Sequence, residues 1–214
     1  MNHDIIIHND FEQGSDEWYA TRSGLVTGSE FSSVLAQGKA GKPSVMRRRL
    51  INRLASERAG GVLDPSYKSG AMNRGNEMEA QARAAFEMSH GVAVETVGFV
   101  EAPGLKAGYS PDGFIGEDAT IEIKTRKGEL QIEALEAIRE GASPVPAEHV
   151  AQVQGGLWIT GRDICWLHIY WPGLPAVTTS VVRDEAYIVR LARQVEILNE
   201  EIDEIVERIK NYGN

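Results

Sequence analysis

The sequence SPDGFIGEDATIEIKT, residues 110–125, decides how the rest of the chain is interpreted. Its last part, TIEIKT (120–125), alternates apolar and polar residues. A β-strand there would place Glu122 and Lys124 on one face and the two isoleucines on the other. In the preceding SPDG, proline fixes the backbone of a β-turn that holds Asp112 at a strand end. A short connection then returns the chain, so two carboxylates are expected to converge with one lysine.

These three residues predict phosphodiester hydrolysis. Two carboxylates at close range repel each other unless one is protonated or a cation lies between them. Asp112 and Glu122 are hard oxygen ligands with no Cys or His nearby in sequence, which favours Mg²⁺, with Mn²⁺ as the alternative, over zinc. Lys124 would orient or help to deprotonate an attacking water. For Glu122 and Lys124 alone, a surface ion pair between neighbouring strands is the competing interpretation.

Composition narrows the class of protein. The 214 residues, 42% hydrophobic and 25% charged, are typical of a globular protein, and we expect one domain over 1–214. A single cysteine, Cys165, cannot form an intramolecular disulfide, which fits a reducing compartment. The sequence contains neither a signal-peptide pattern nor a run of 18 apolar residues, so we expect a cytoplasmic protein with no membrane segment.

Charge is unevenly distributed along the chain. The net charge of −9 argues against a polyanionic partner. However, the run from Lys39 to Arg58 holds seven basic residues and one acidic residue, a local balance of +6. Two interpretations stay open for this run: a contact with duplex DNA, or a solvated helix face.

The order of helical and strand patterns predicts an α/β fold, with a mixed sheet flanked by helices. Helix-start signals occur at Ser15, Ser29 and Ser44. The longer helices are expected at about 73–89, 129–139, 148–158 and 184–211, and strands within 92–125, 163–171 and 177–183. The last helix carries an apolar stripe that either packs on the protein's own sheet or contacts another subunit.

Four segments resemble, in order, the motifs of the bacteriophage lambda exonuclease type of viral recombination nuclease, a family of the PD-(D/E)XK superfamily. They are GSDEWYATRSGLVTGSEF (14–31), RGNEMEAQARAAFE (74–87), SPDGFIGEDATIEIKT (110–125) and HVAQVQGGLWIT (149–160). The resemblance spans about 14–171. It implies a restriction-endonuclease-like core in a single nuclease domain, with a C-terminal helix at about 184–211.

The resemblance also implies the members of a catalytic site. By this resemblance, the metal ligands are Asp112, Glu122 and the backbone carbonyl of Ile123, and Lys124 lies at the nucleophilic water. Glu79 is an acidic residue that assists the metal site, and Gln152 is an active-site glutamine. From the residues alone, Glu79 shares a helix side with Ala82 and Arg83, whereas a glutamine such as Gln152 is more often a solvated surface residue.

A second set implied by the resemblance binds the terminal 5′-phosphate of DNA, and it consists of Arg22, Ser29 and Ser110. Arginine binds phosphate through two parallel hydrogen bonds, and a helix N-terminus adds backbone donors. From the residues alone, Ser29 would be a helix cap and Arg22 a surface ion pair. Met72 stands where the family places an apolar wedge between the separating strands, and a core methionine is the alternative.

The expected function is therefore that of a Mg²⁺-dependent 5′–3′ exonuclease. It would degrade one strand of linear double-stranded DNA from 5′-phosphorylated ends, for homologous recombination by single-strand annealing. The resemblance further implies a homotrimer, a single-strand annealing protein as partner, and a phage or prophage origin in a bacterial host cell. The alternatives are a PD-(D/E)XK endonuclease or repair nuclease without 5′-end dependence, a non-catalytic DNA-end-binding module, and a structural protein whose acidic cluster is incidental.

Overall fold

The computed structural model describes residues 3–38, 44–61, 70–125, 127–143 and 145–212, without the side chains of 70–77 and 148. Lys39, Lys42 and the side chain of Met72 lie outside this description, so their roles stay predictions.

The described chain is a mixed α/β fold, as the sequence predicts. The helices are α1 (Asp16–Arg22), α2 (Phe31–Val34), α3 (Val45–Arg58), α4 (Gly70–His90), α5 (Gly128–Arg139), α6 (Ala147–Thr160) and α7 (Glu185–Lys210). The strands are β1 (Ile6–His8), β2 (Val26–Thr27), β3 (Phe99–Ala102), β4 (Ala107–Tyr109), β5 (Gly113–Ile115), β6 (Ala119–Thr125), β7 (Ile164–Tyr170) and β8 (Val177–Val182).

The strands form two four-stranded sheets, with the orders β1-β3-β4-β2 and β5-β6-β7-β8. In the second sheet, β6 and β7 run parallel with Glu122 opposite Leu167, and the other pairs are antiparallel. The nearly continuous apolar sequence of β7 fits its position between β6 and β8. In the first sheet, β3 and β4 fall within the predicted strand region 92–125, whereas β1 and β2 were not predicted, because they are three and two residues long and too short to show a period of two.

Two of the three predicted helix starts are confirmed. Ser15 accepts a hydrogen bond from Trp18 N (3.1 Å) at the start of α1, and Ser44 accepts one from Arg47 N (3.5 Å) at the start of α3. The prediction that Ser29 caps a helix is wrong, because Ser29 lies inside a short 3₁₀ turn. Thr27 precedes that turn, and its backbone N–H donates to Glu30 (3.0 Å), the pairing that a Thr-x-x-Glu sequence favours.

The stripe along α7 packs within the chain. Ile188, Leu191, Val195, Leu198 and Ile202 are buried in the main core, but the helix rests on α2, α3 and α6 rather than directly on a sheet. On α3 the buried face holds Leu50 and Leu54, whereas Met46 in the first turn is 60% exposed.

A glycine pair in α6 lets this helix approach its neighbours closely. A Cβ atom on Gly155 would lie 2.0 Å from the Phe31 ring of α2, and that ring is fully buried. We expect Gly155→Val to lower the free energy of unfolding by about 3 kcal/mol, because overpacking a filled core forces neighbours out of place. Denaturant titration measures the change. Gly104→Val is the matched control, since a Cβ on Gly104 meets nothing within 4 Å; equal stability of the two variants would contradict the prediction.

Candidate active site

Strand β6 is covered on both faces, and this makes its polar residues unusual. Ile121 and Ile123 pack against Ala82 and Phe86 of α4. On the other face, Glu122 is only 2% exposed. The interpretation of Glu122 and Lys124 as a surface ion pair is therefore wrong. A buried carboxylate is unfavourable unless several hydrogen-bond donors or a cation interact with it. The groups around Glu122 therefore determine what the site can do.

Asp112 lies beside β6, one residue before β5 begins. The pairing of β5 with β6 ends at Ile121, and beyond it the N–H of Ile123 donates to Asp112 Oδ2 (2.5 Å) while the N–H of Asp112 donates to Ile121 O (3.2 Å). Burial, then the charges of Glu122 and Glu79, raises the pKa of Asp112 well above its usual value. The charged form of Asp112 is thus unfavourable here unless a cation balances it.

The two oxygens of Glu122 have separate partners. Oε1 accepts hydrogen bonds from Lys124 Nζ and from Gln152 Nε2, each at 2.5 Å, and Lys124 Nζ lies 3.4 Å from Gln152 Oε1. Oε2 accepts from the hydroxyl of Tyr109 at 2.6 Å. Burial, followed by the charge of Glu122, raises the pKa of this phenol well above 10, so it stays a donor. Helix α6 begins after Pro146 and brings Gln152 over β6, instead of leaving it in solvent.

Glu79 on α4 approaches the same place from the opposite side. It accepts a hydrogen bond from Arg83 (2.7 Å), and with Arg83 and Asp112 it lines a cavity of about 660 Å³. Burial raises the pKa of Glu79, and the charge of Glu122 adds to this effect, while Arg83 opposes it. Among the described residues, no three His, Cys, Asp or Glu side chains are grouped closely enough to hold a metal. A role for Glu79 at the metal stays a prediction.

The donor set nevertheless fits a hard divalent cation. The candidate ligands are the carboxylates of Asp112 and Glu122 and the carbonyl of Ile123, all oxygen atoms. Burial is the first cause of the raised pKa of Asp112, and repulsion by the carboxylates of Glu122 and Glu79 adds to it; a bound cation relieves such repulsion. Cys165, the one sulfur ligand on the adjacent strand, is buried, and burial together with Glu122 raises the pKa of its thiol to about 12. It stays protonated and is a poor ligand or nucleophile.

A second cluster joins Arg22 and Ser110. Arg22 donates to the Ser110 hydroxyl (3.0 Å) and to the Thr27 hydroxyl (3.1 Å), and its guanidinium lies 3.8 Å over the Trp18 ring. Trp18 Nε1 also donates to Ser110 (2.9 Å). Ser29 is exposed and lies in the 3₁₀ turn, two residues beyond Thr27. Because Ser110 and Asp112 are two residues apart, this cluster adjoins the carboxylates.

Three residues of the site were not predicted from the sequence: Trp18, Thr27 and Tyr109. The four-residue spacing of Trp18 and Arg22 on α1 could have suggested their contact. Thr27 was overlooked because Ser29 looked like the cap. Tyr109 carries no signal, since an aromatic residue before a turn is usually a core residue.

The basic run is largely neutralised within the chain. Arg47 pairs with Glu201 (2.7 Å), Arg58 with Asp203 (3.0 Å), and Arg53 with Glu30. In the described part of the run, Arg48 and Arg49 have exposed side chains. The paired arginines hold α3 to α7 and to the 3₁₀ turn, so they fit neither interpretation of the run. For the exposed Arg48 and Arg49, both the DNA contact and the solvated helix face stay predictions.

Fold and site together define a nuclease of the PD-(D/E)XK class. The family model of the YqaJ-like viral recombinase domain matches residues 17–163. The crystal structure of an alkaline exonuclease (LHK-Exo) from Laribacter hongkongensis is 30% identical, with a TM-score of 0.78, over 92% of this chain and 97% of that chain. The chain therefore belongs to the YqaJ-like viral recombinase family, and it is a recombination-related DNA exonuclease.

Two further structures are similar. LHK-Exo in complex with dAMP is 29% identical, with a TM-score of 0.77, over 92% of this chain and 97% of that chain. A phage related exonuclease from Haemophilus somnus 129PT has a TM-score of 0.63 at 16% identity, over 86% of this chain and 96% of that chain, and it supports the fold alone. Among curated proteins, none matches the sequence significantly. Within the described residues, no helix combines the length and apolar character needed to cross a membrane.

Proposed function

We propose that the protein is a Mg²⁺-dependent 5′–3′ exonuclease that degrades one strand of linear double-stranded DNA from 5′-phosphorylated ends. The observation that carries the proposal is the grouping at Glu122. Lys124 and Gln152 both donate to its Oε1 at 2.5 Å, and Asp112 is bonded to the next residue of the same strand. A buried carboxylate, a second carboxylate and an ammonium group at one strand end suit metal-assisted hydrolysis of a phosphodiester.

The cation would be held by Asp112, Glu122 and the carbonyl of Ile123, with Mn²⁺ as the alternative to Mg²⁺. When bound, such an ion neutralises charge on the phosphorus and lowers the pKa of a water ligand. Lys124 orients the attacking water, because its ammonium group is fixed between Glu122 and the amide oxygen of Gln152. Glu79 adds negative charge beside Asp112, and its ion pair with Arg83 sets its orientation.

The bonds that form and break determine the products, and recognition of the 5′-phosphate determines the direction. The oxygen of water bonds to phosphorus, the bond from phosphorus to O3′ of the terminal nucleotide breaks, and O3′ takes up a proton. The products are a deoxynucleoside 5′-monophosphate and a shortened strand that again begins with a 5′-phosphate. The dAMP in the LHK-Exo complex is a nucleotide of this kind. The Arg22 and Ser110 cluster, with Ser29 two residues beyond Thr27, supports binding of each new 5′-phosphate.

The direct test uses a linear duplex with 5′-phosphates and an end label. We expect mononucleotides with Mg²⁺ and none with a chelator, and the 3′-ended strand should survive. A covalently closed circle serves as the control for an endonuclease, and its cleavage would favour that alternative. Binding of DNA ends without any hydrolysis would favour the non-catalytic alternative.

Removal of the Arg22 charge should affect one kind of DNA end more than the other. We expect Arg22→Ala to lower the rate on 5′-phosphorylated ends by about 10-fold or more relative to 5′-hydroxyl ends, because charge-assisted hydrogen bonds to phosphate contribute about 1.5–3 kcal/mol each. Initial rates on the two duplexes measure this ratio. The control is Arg208→Ala, an exposed arginine of α7. Equal losses on both ends would contradict the prediction.

The remaining assignments complete the proposal. We propose a single nuclease domain over 1–214, and the main core supports it by joining residues from Val26 to Val206. We further propose a homotrimer, a single-strand annealing protein that coats the emerging strand, and action on DNA in the cytoplasm of a bacterial host. Exposed Arg48 and Arg49 supply positive charge for the duplex. The mass in solution, compared with multiples of 23.5 kDa, tests the oligomer.

A further inference from the structure

Among the described partners of Glu122, Tyr109 has no role in the function proposed so far. It ends β4, its side chain is 1% exposed, and its hydroxyl donates to Glu122 Oε2 at 2.6 Å. The contact joins the two sheets, since Tyr109 belongs to the first and Glu122 to the second. A buried carboxylate oxygen without a donor is strongly unfavourable, so this hydroxyl does more than fill space.

The Tyr109 ring is held between two glycines from different elements. A Cβ on Gly28, in the 3₁₀ turn, would lie 2.6 Å from Cδ2 of the ring, and a Cβ on Gly156, in α6, would lie 2.6 Å from Cε1 and Cζ. Neither glycine has a positive φ, so the close approach of the ring, and not a special turn, requires them. Because two sides of the ring are in close contact, core packing leaves the hydroxyl little room to move.

This fixed hydroxyl decides how the Glu122 carboxylate is turned. Oε2 is bound by Tyr109, so Oε1 is left for Lys124 and Gln152. Without the hydroxyl, the carboxylate can rotate about its last bond, and the positions of Lys124 and of any cation at Glu122 become less defined. Groups that orient the ligands of a metal commonly change metal affinity or activity by about 10–100-fold.

We infer that Tyr109 is a positioning residue: it holds the Glu122 carboxylate in the one orientation that serves both Lys124 and the divalent cation. The inference rests on the proposed function, because it assigns Glu122 to that cation. It also gives two neighbouring residues different roles: Ser110 contacts Arg22 in the proposed phosphate site, whereas Tyr109 acts on the cation site through Glu122.

The test replaces Tyr109 with phenylalanine, which removes the hydroxyl and keeps the ring between the glycines. Calorimetry with Mn²⁺ and no DNA should show about 10–100-fold weaker binding. The rate of degradation should fall equally on 5′-phosphorylated and 5′-hydroxyl ends. If Tyr109 acted in phosphate binding instead, the rate would fall more on the phosphorylated ends. Tyr187→Phe, which removes a hydroxyl from a partly buried tyrosine of α7, is the matched control. Circular dichroism reports whether each variant is folded.

A second variant and a double mutant test the same inference independently. Gly156→Ala retains the hydroxyl but displaces the ring, and it should weaken Mn²⁺ binding in the same direction. In a Glu122→Gln background, Tyr109→Phe should have little further effect on Mn²⁺ binding. Wild-type affinity in both single variants, or full additivity in the double mutant, would overturn the inference. If the wild-type protein itself neither binds Mn²⁺ nor needs a divalent ion to cut DNA, the proposed function fails instead.

Discussion

Lys124→Met is expected to lower the rate of strand degradation by at least about 10²-fold, because the variant keeps the aliphatic stem but loses the ammonium group. That group is placed by two oxygens, Glu122 Oε1 at 2.5 Å and Gln152 Oε1 at 3.4 Å. Since these contacts hold Nζ at the site whether or not DNA is present, the loss should appear in kcat. KM for DNA should change little, because phosphate binding at the strand end depends on Arg22 and its neighbours.

Single-turnover assays with an end-labelled duplex measure this loss. Lys210→Met is the matched control, since Lys210 lies on the last turn of α7 and is exposed. Thermal unfolding should show a folded Lys124→Met variant, because methionine can occupy the same channel beside β6. A variant that cuts within about twofold of the wild-type rate would remove Lys124 from the chemistry. A variant with unchanged kcat and a raised KM would assign the lysine to DNA binding.

The site could be predicted in large part because its residues lie close together in the sequence. Asp112, Glu122 and Lys124 fall within one turn and one strand, and local alternation is enough to place them on β6. The long helices were predicted for a similar reason, since each of them spans several turns of a regular pattern. Glu79 and Gln152 come from distant helices, and only the family resemblance suggested them.

What was missed depends on contacts between distant segments. The sequence around Tyr109 gives no sign that its hydroxyl meets Glu122, because the contact depends on how β4 lies against β6 and on two glycines elsewhere in the chain. The short strands of the first sheet are defined by their partners, and their own few residues show no period. The wrong cap at Ser29 has a local cause: Thr27 and Ser29 are two hydroxyl residues only two positions apart, and Thr27 is the one with a glutamate three positions later.

Asp112→Asn should abolish most of the activity, with a loss of at least about 10²-fold, and should also change how stability depends on the cation. Burial and the neighbouring charges of Glu122 and Glu79 raise the pKa of Asp112 well above its unfolded value. Its protonated form therefore stabilises the fold fully below the unfolded pKa. That contribution is lost as the pH rises through the folded pKa. Above the unfolded pKa and with a chelator present, ionisation of Asp112 favours the unfolded wild-type chain, and the asparagine variant has no group that ionises there.

The variant should consequently unfold at a higher temperature than the wild-type protein at pH 8 without a divalent ion, and the difference should shrink toward pH 4. Adding Mg²⁺ should reverse the order, because a cation that binds the folded wild-type protein stabilises it by RT ln(1 + [L]/Kd) and the variant has lost a ligand. Asp163→Asn, at an exposed position, controls for the substitution itself. A wild-type unfolding temperature that does not respond to Mg²⁺ would contradict the cation site. If it responds equally in the wild-type protein and in Asp112→Asn, the cation binds elsewhere, and Asp112 must act in the reaction without holding it.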